Sequence, residues 1–165
     1  MLFGGAAVIG AGAGLALWQR REQPAELPEG FWSLAFDRPD GTRLALADLR
    51  GAPLLLNFWA TWCPPCVREM PALDRFAQAH AARGWRVLGL AADKVEPVRE
   101  FLARTPVSYP IALAGFAGIE LSRQLGNDGG GLPFTVVFDR RGRVAARHSG
   151  EARPEQLDAW AKGNS

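Results

Sequence analysis

One stretch constrains this chain more than any other: Leu54 to Pro71, reading Leu-Leu-Leu-Asn-Phe-Trp-Ala-Thr-Trp-Cys-Pro-Pro-Cys-Val-Arg-Glu-Met-Pro. It holds both cysteines of the protein, Cys63 and Cys66. Leu54 to Trp59 is an apolar run of strand length, as expected of a strand buried on both faces. Pro64 and Pro65 follow the first cysteine directly. Proline is tolerated in the first turn of a helix, where its missing N–H would have no intrahelical partner. The chain therefore leaves a central strand, places Cys63 at a helix N-terminus and puts Cys66 one turn further in. Unpaired N–H groups and the positive end of the helix dipole favour a thiolate there, so Cys63 is the expected nucleophile.

Two cysteines this close together make a poor structural staple, because so short a loop hardly restrains an unfolded chain. They make better sense as a dithiol–disulfide couple, with Cys66 resolving the mixed disulfide that Cys63 forms. Haem attachment needs a His immediately after the pair, where Val67 stands. Zinc needs two further ligands, and His80 and His148 lie far outside ligand spacing, so no metal site is expected and both read as ordinary residues. Two other readings stay open. A copper-handling dithiol would draw on Met70; a thiol peroxidase would want Thr three residues before its cysteine, where Ala60 stands beside Thr61.

The 165 residues suffice for one domain with a full core. Nineteen basic against 17 acidic residues give a net charge of +2, with no helix-long basic stripe, which argues against nucleic-acid binding. No cofactor motif is present.

Residues 1–19 form an apolar segment: Leu2 to Trp18 carries no charge. Seventeen helical residues span about 25 Å, near the lower limit for crossing a bilayer. A membrane anchor, a signal cleaved near Ala11-Gly12-Ala13, and a non-membrane tail are the alternatives. Arg20 and Arg21 follow the segment, which argues against export unless a basic leader lies upstream of Met1. Residues 20–30, with Pro24 and Pro28, read as a linker, and residues 31–163 as the folded domain. Within it, Phe31 to Phe36 and Thr42 to Leu46 are expected as a hairpin around the Asp37–Gly41 turn. The helix after Cys66 carries Leu73, Phe76, Ala77 and His80 on one face, is expected to kink at Pro71 and ends at Gly84. Strands are expected at 85–91, 111–113, 134–138 and 144–149, and helices at 95–104, 117–125 and 154–161, with a Gly-rich segment at 126–131.

Phe58-Trp59-Ala60-Thr61-Trp62-Cys63-Pro64-Pro65-Cys66, with Glu69, Met70 and Pro71, resembles the active-site segment of the TlpA/ResA-like thioredoxin-fold disulfide reductases. Gly131-Leu132-Pro133-Phe134-Thr135, about seventy residues on, resembles that family's cis-proline loop. The resemblance covers roughly Phe31 to Trp160. It implies an α/β, thioredoxin-like three-layer sandwich with an N-terminal β-hairpin. It implies a cis bond before Pro133, with the backbone of Leu132 offered to an extended substrate, and contacts from Trp62, Pro64 and Pro65. It associates Glu69 with the cysteines. Glu69 shares a helix face with Cys66 and could take its proton; its dipole-favoured place early in the helix is the plainer explanation. Asn57 stands where thioredoxins carry a buried Asp, which leaves Glu69 as the nearest carboxylate in sequence. The resemblance further implies disulfide-bearing protein substrates, apocytochrome c among them, a membrane-embedded electron donor, and a place on the periplasmic side of the bacterial inner membrane.

Overall fold

The structure, a computed structural model, describes residues 27–163. The apolar segment 1–19 and the linker up to residue 26 lie outside the described residues. Among the described residues, seven strands form one sheet: β1 (Ala35–Asp37), β2 (Arg43–Ala45), β3 (Leu54–Trp59), β4 (Arg86–Ala91), β5 (Ile111–Leu113), β6 (Phe134–Phe138) and β7 (Val144–Ser149), in the order β2-β1-β5-β4-β3-β6-β7. Four α-helices accompany it: α1 (Pro64–His80), α2 (Val95–Arg104), α3 (Ala117–Gln124) and α4 (Pro154–Gly163).

β3 lies inside the sheet, parallel to β4 (Leu54 opposite Arg86, Trp59 opposite Ala91) and antiparallel to β6 (Leu54 opposite Phe138, Phe58 opposite Phe134). All six of its residues are buried, as expected of a strand covered on both faces. Alternation along the strands separates two cores. One contains Leu55, Trp59, Val87 and Val137 beneath α1, α2 and α4, which contribute Met70, Leu73, Phe76, Val98, Leu157 and Trp160. The other contains Leu54, Leu56, Phe58, Leu88, Leu90, Phe134, Val136 and Phe138, covered by Leu121 of α3, Leu125 and the N-terminal aromatic Phe31. This is the three-layer α/β sandwich with an N-terminal hairpin that the sequence implied.

The first expected strand is shorter than its alternation suggests. Phe31–Ser33 is a 3-10 turn, closed by Phe31 N–H to Pro28 O (3.0 Å) and Ser33 N–H to Gly30 O (2.8 Å). Phe31 stacks on Phe138 at 5.4 Å and meets Trp32 edge-on at 5.1 Å. Aromatic packing, and not a pleat, sets the conformation here. α1 runs through Pro71, whose position is exposed, and reaches His80. A 3-10 turn, Ala81–Arg83, then leads to Gly84 in the left-handed region at φ 81°.

The parallel strands share polarity, so their C-terminal ends form one edge of the sheet. The loops after Trp59 and Ala91 and the start of β6 all meet there.

Candidate active site

Cys63 is the N-cap of α1, with extended backbone (φ −104°, ψ 98°), and Pro64 and Pro65 occupy the first turn. It forms a disulfide with Cys66, and Cys66 N–H donates to Cys63 Sγ at 3.3 Å. Prolines supply no N–H, so the residues between the cysteines give this sulfur no backbone donor. Both cysteines are buried, whereas Trp62 beside them is 56 % exposed. Pro64 is exposed and Pro65 half-buried. The antiparallel β3–β6 register carries Leu132 and Pro133 to the same edge. The Leu132–Pro133 bond is cis, Pro133 is buried, and Leu132 packs against the core that contains both cysteines.

Glu69 is held beneath this surface. Its side chain follows Cys66 by one helical turn and is only 1 % exposed. Asn57 Nδ2 donates to Oε1 at 2.7 Å, and the backbone N–H of Ala152, in the β7–α4 loop, donates to Oε2 at 2.7 Å. Asn57 Nδ2 also reaches Thr135 Oγ1 at 3.1 Å. Removal from water dominates the carboxyl's titration and pushes its pKa up to about 7, against the two hydrogen bonds that favour the anion. Nearby Glu151, paired with Arg68 at 3.2 Å, adds slightly to the rise. Further along the same face, burial raises the pKa of Tyr109, reinforced by the charges of Glu69 and Asp74. The Tyr109 hydroxyl has no hydrogen-bond partner, nor do Asn57 Oδ1 and Trp59 Nε1.

The eight residues marked out in the sequence thus fall into two segments that one sheet edge brings together: Trp62, Cys63, Pro64, Pro65, Cys66 and Glu69 at the head of α1, and Leu132 and Pro133 before β6. Sequence reasoning missed the groups that complete the site. Thr135 becomes visible only through the register that sets it opposite Asn57. The Ala152 N–H has no side-chain signature at all. Asp93 comes two residues after the apolar β4, an acid in a place where a buried strand ends, and that was its one available signal. Its Oδ2 accepts from Thr61 N–H (2.9 Å) and Thr61 Oγ1–H (2.5 Å), and its Oδ1 from Lys94 N–H (2.7 Å). The β3–β4 backbone ladder ends with Ala92 N–H to Trp59 O at 2.8 Å. Asp93 continues it with a side chain and ties down the loop that carries Trp62 and Cys63. His80 is half-buried with its ring 4.6 Å from that of Phe76, and His148 lies 5.9 Å from Trp160. Among the described residues no group of three or more His, Cys, Asp or Glu side chains could hold a metal ion.

Comparison with known proteins agrees with this geometry. The model of the Redoxin family matches residues 29–161. The thiol-disulfide oxidoreductase ResA of Bacillus cereus is 31% identical over 122 residues, 73% of this chain and 68% of that protein. A thiol:disulfide interchange protein of the thioredoxin family from Chlorobium tepidum superposes with a TM-score of 0.71 at 29% identity, over 86% of this chain and 97% of the other. A thioredoxin-related protein from Neisseria meningitidis serogroup B does so with 0.70 at 33%, over 79% and 98%.

Proposed function

The chain belongs to the Redoxin family and is a thiol–disulfide oxidoreductase; from that premise we propose that it works outside the cytoplasm as a reductant of disulfides in partner proteins. The observation that carries the reductant reading is that Cys63 Sγ accepts from Cys66 N–H while Pro64 and Pro65 offer it no donor; the buried Glu69 carboxyl, one turn below Cys66, supports the exchange chemistry.

In the reduced protein the Cys63 thiolate attacks one sulfur of a substrate disulfide. An S–S bond forms between Cys63 and the substrate, and the other substrate sulfur leaves as a thiolate that takes a proton from water. Cys66 must then lose its own proton, and a thiol in apolar surroundings gives it up reluctantly. Glu69, with a pKa of about 7, close to the pH of a neutral medium, is matched to receive it. The Cys66 thiolate attacks Cys63 Sγ, the mixed disulfide breaks, and the second substrate sulfur leaves as a thiolate that takes a proton from water. Two electrons have passed to the substrate, and the Cys63–Cys66 disulfide remains. A membrane-embedded dithiol or comparable two-electron donor would restore the pair, since the chain has no cofactor motif to supply electrons. Trp62, Pro64 and Pro65 beside Cys63, with Leu132 and Pro133 at the same sheet edge, would receive an extended, disulfide-bearing segment, apocytochrome c being one candidate. Residues 1–19 would tether the domain to the periplasmic side of the inner membrane.

Direction follows from what surrounds Cys63 Sγ. Its thiolate would rest on the helix terminus and the Cys66 N–H, because Pro64 and Pro65 offer neither charge nor donor. A moderate shift of this kind suits a reducing couple, nearer the roughly −270 mV of thioredoxin than the roughly −120 mV of the oxidant DsbA. The test is the reduction potential of the pair. A value above about −180 mV, typical of an isomerase, would reverse the assigned direction. The copper reading has its own test, titration of the reduced protein with Cu(I).

A further inference from the structure

The edge of the sheet opposite the disulfide carries a concentration of arginine that the redox chemistry does not use. Arg50 precedes β3, Arg83 and Arg86 stand at the start of β4, and Arg140, Arg141 and Arg143 lie in or beside the β6–β7 turn; all six are exposed. Register places these segments at one end of the molecule, since Leu54 lies opposite both Arg86 and Phe138. Contacts join them into one surface. Arg140 Nη2 donates to Arg83 O at 3.1 Å, and Arg86 donates to the carbonyl of Asp48. Arg50 lies over the Trp32 ring at 5.6 Å, and Trp32 Nε1 donates to Gly142 O at 3.2 Å. The same segments hold three acids, Glu29, Asp48 and Asp139, the last paired with Arg143 at 2.8 Å. Six arginines against three acids leave a local excess of three positive charges, more than the +2 of the whole chain.

We propose that this arginine edge is a docking surface for an anionic phospholipid bilayer, and that the domain rests on the membrane with its disulfide pointing away. Two observations choose lipid over other polyanions. The chain reaches the domain at this same end, where Phe31 and Trp32 pack on Phe138. Twenty-six residues precede the described structure, and of these Leu2 to Trp18 form an uncharged apolar stretch followed by Arg20 and Arg21. A bilayer that accepts the stretch would therefore lie next to the arginine edge, not the redox edge. Guanidinium groups pair with phosphate oxygens in bidentate fashion, and each basic side chain near an anionic surface adds to the attraction.

The full chain is reconstituted into vesicles of phosphatidylcholine alone and of phosphatidylcholine with phosphatidylglycerol. Arginine modification by phenylglyoxal is then followed residue by residue by mass spectrometry. Arg83, Arg140 and Arg141 should react at least tenfold more slowly on the anionic vesicles, with 0.5 M NaCl abolishing the difference, while Arg75 and Arg104 react alike on both. In the R83E/R140E/R141E variant, Arg50 and Arg86 should lose their protection while reduction of the disulfide by dithiothreitol is unchanged. Equal rates on both vesicles, or equal slowing at Arg104, would overturn the proposal. So would protection that appears with soluble polyglutamate or short duplex DNA and not with vesicles.

Discussion

The two faces of the central sheet are made by the same strands and follow different rules. On the α3 side, β3, β4 and β6 present Leu54, Leu56, Phe58, Leu88, Leu90, Phe134, Val136 and Phe138, all apolar and buried. On the α1 side the same strands present Leu55, Asn57, Trp59, Val87, Gly89, Ala91, Thr135 and Val137. That side also holds Glu69 and five polar atoms without partners, on Asn57, Trp59, His80, Trp85 and Tyr109. Buried polar groups left unpaired cost on the order of 1–3 kcal/mol each. The first face supplies stability, and the second gives some of it up to keep a carboxyl out of water beneath the disulfide.

The largest effect expected on the polar face comes from the cysteines. Cys66→Ala should abolish turnover and accumulate mixed disulfides through Cys63, while Cys63→Ala abolishes turnover and accumulates none. Non-reducing gels with an acid quench read this directly, and trapping in the Cys63 variant alone would exchange the two roles. Phe58→Ala on the apolar face should cost about 3–5 kcal/mol in urea unfolding, with the pH dependence of exchange unmoved. A shifted pH profile in that variant would erase the distinction between the faces.

Glu69→Gln should slow resolution of the mixed disulfide by on the order of 100-fold, the low end for a lost general base. It should also flatten the inflection near pH 7 in the wild-type rate profile. The fold tolerates the change, because Asn57 can turn its unpaired Oδ1 toward the new amide. Stability supplies a second readout with a definite sign. The folded-state pKa of Glu69 lies above the unfolded value, 4.5 rising to about 7. Between those values the folded form binds more protons, so stability falls as pH rises through the window and the whole penalty is present above it. That penalty is roughly 3 kcal/mol at about 1.4 kcal/mol per pH unit. The Gln variant should lose this slope, and a slope that survives would show that another group titrates. Thr135→Val, the smallest change, should cost about 1 kcal/mol and alter the pH midpoint of exchange only slightly.

The sequence displayed the covalent half of this site and, of the electrostatic half, only Glu69 and Asn57. Cys63 as N-cap, the prolines behind it and the buried β3 could be read locally, because propensity, spacing and apolar runs belong to one segment. The end of α2 was equally legible, because Pro106 cannot continue a helix. The surroundings of Glu69 come from four segments, and each partner is ordinary in its own stretch: an Asn in a strand, a Thr in another, an alanine N–H. Only sheet register brings them together. Phe31–Ser33 misled for a related reason, since its alternation matched a pleat while its aromatic rings had a distant partner, Phe138, to stack on.

β3 is also a ruler. Six residues at about 3.3 Å apiece make a rigid spacer of roughly 20 Å, with arginines at one end and sulfur at the other. If the arginine end sits at the headgroups, the cysteines stand clear of the hydrocarbon by at least that length. Oxidants and reductants dissolved in the lipid then cannot meet them by diffusion. Electrons must arrive through a protein that itself projects a comparable distance from the bilayer, and the height of that projection becomes a criterion for recognising the donor.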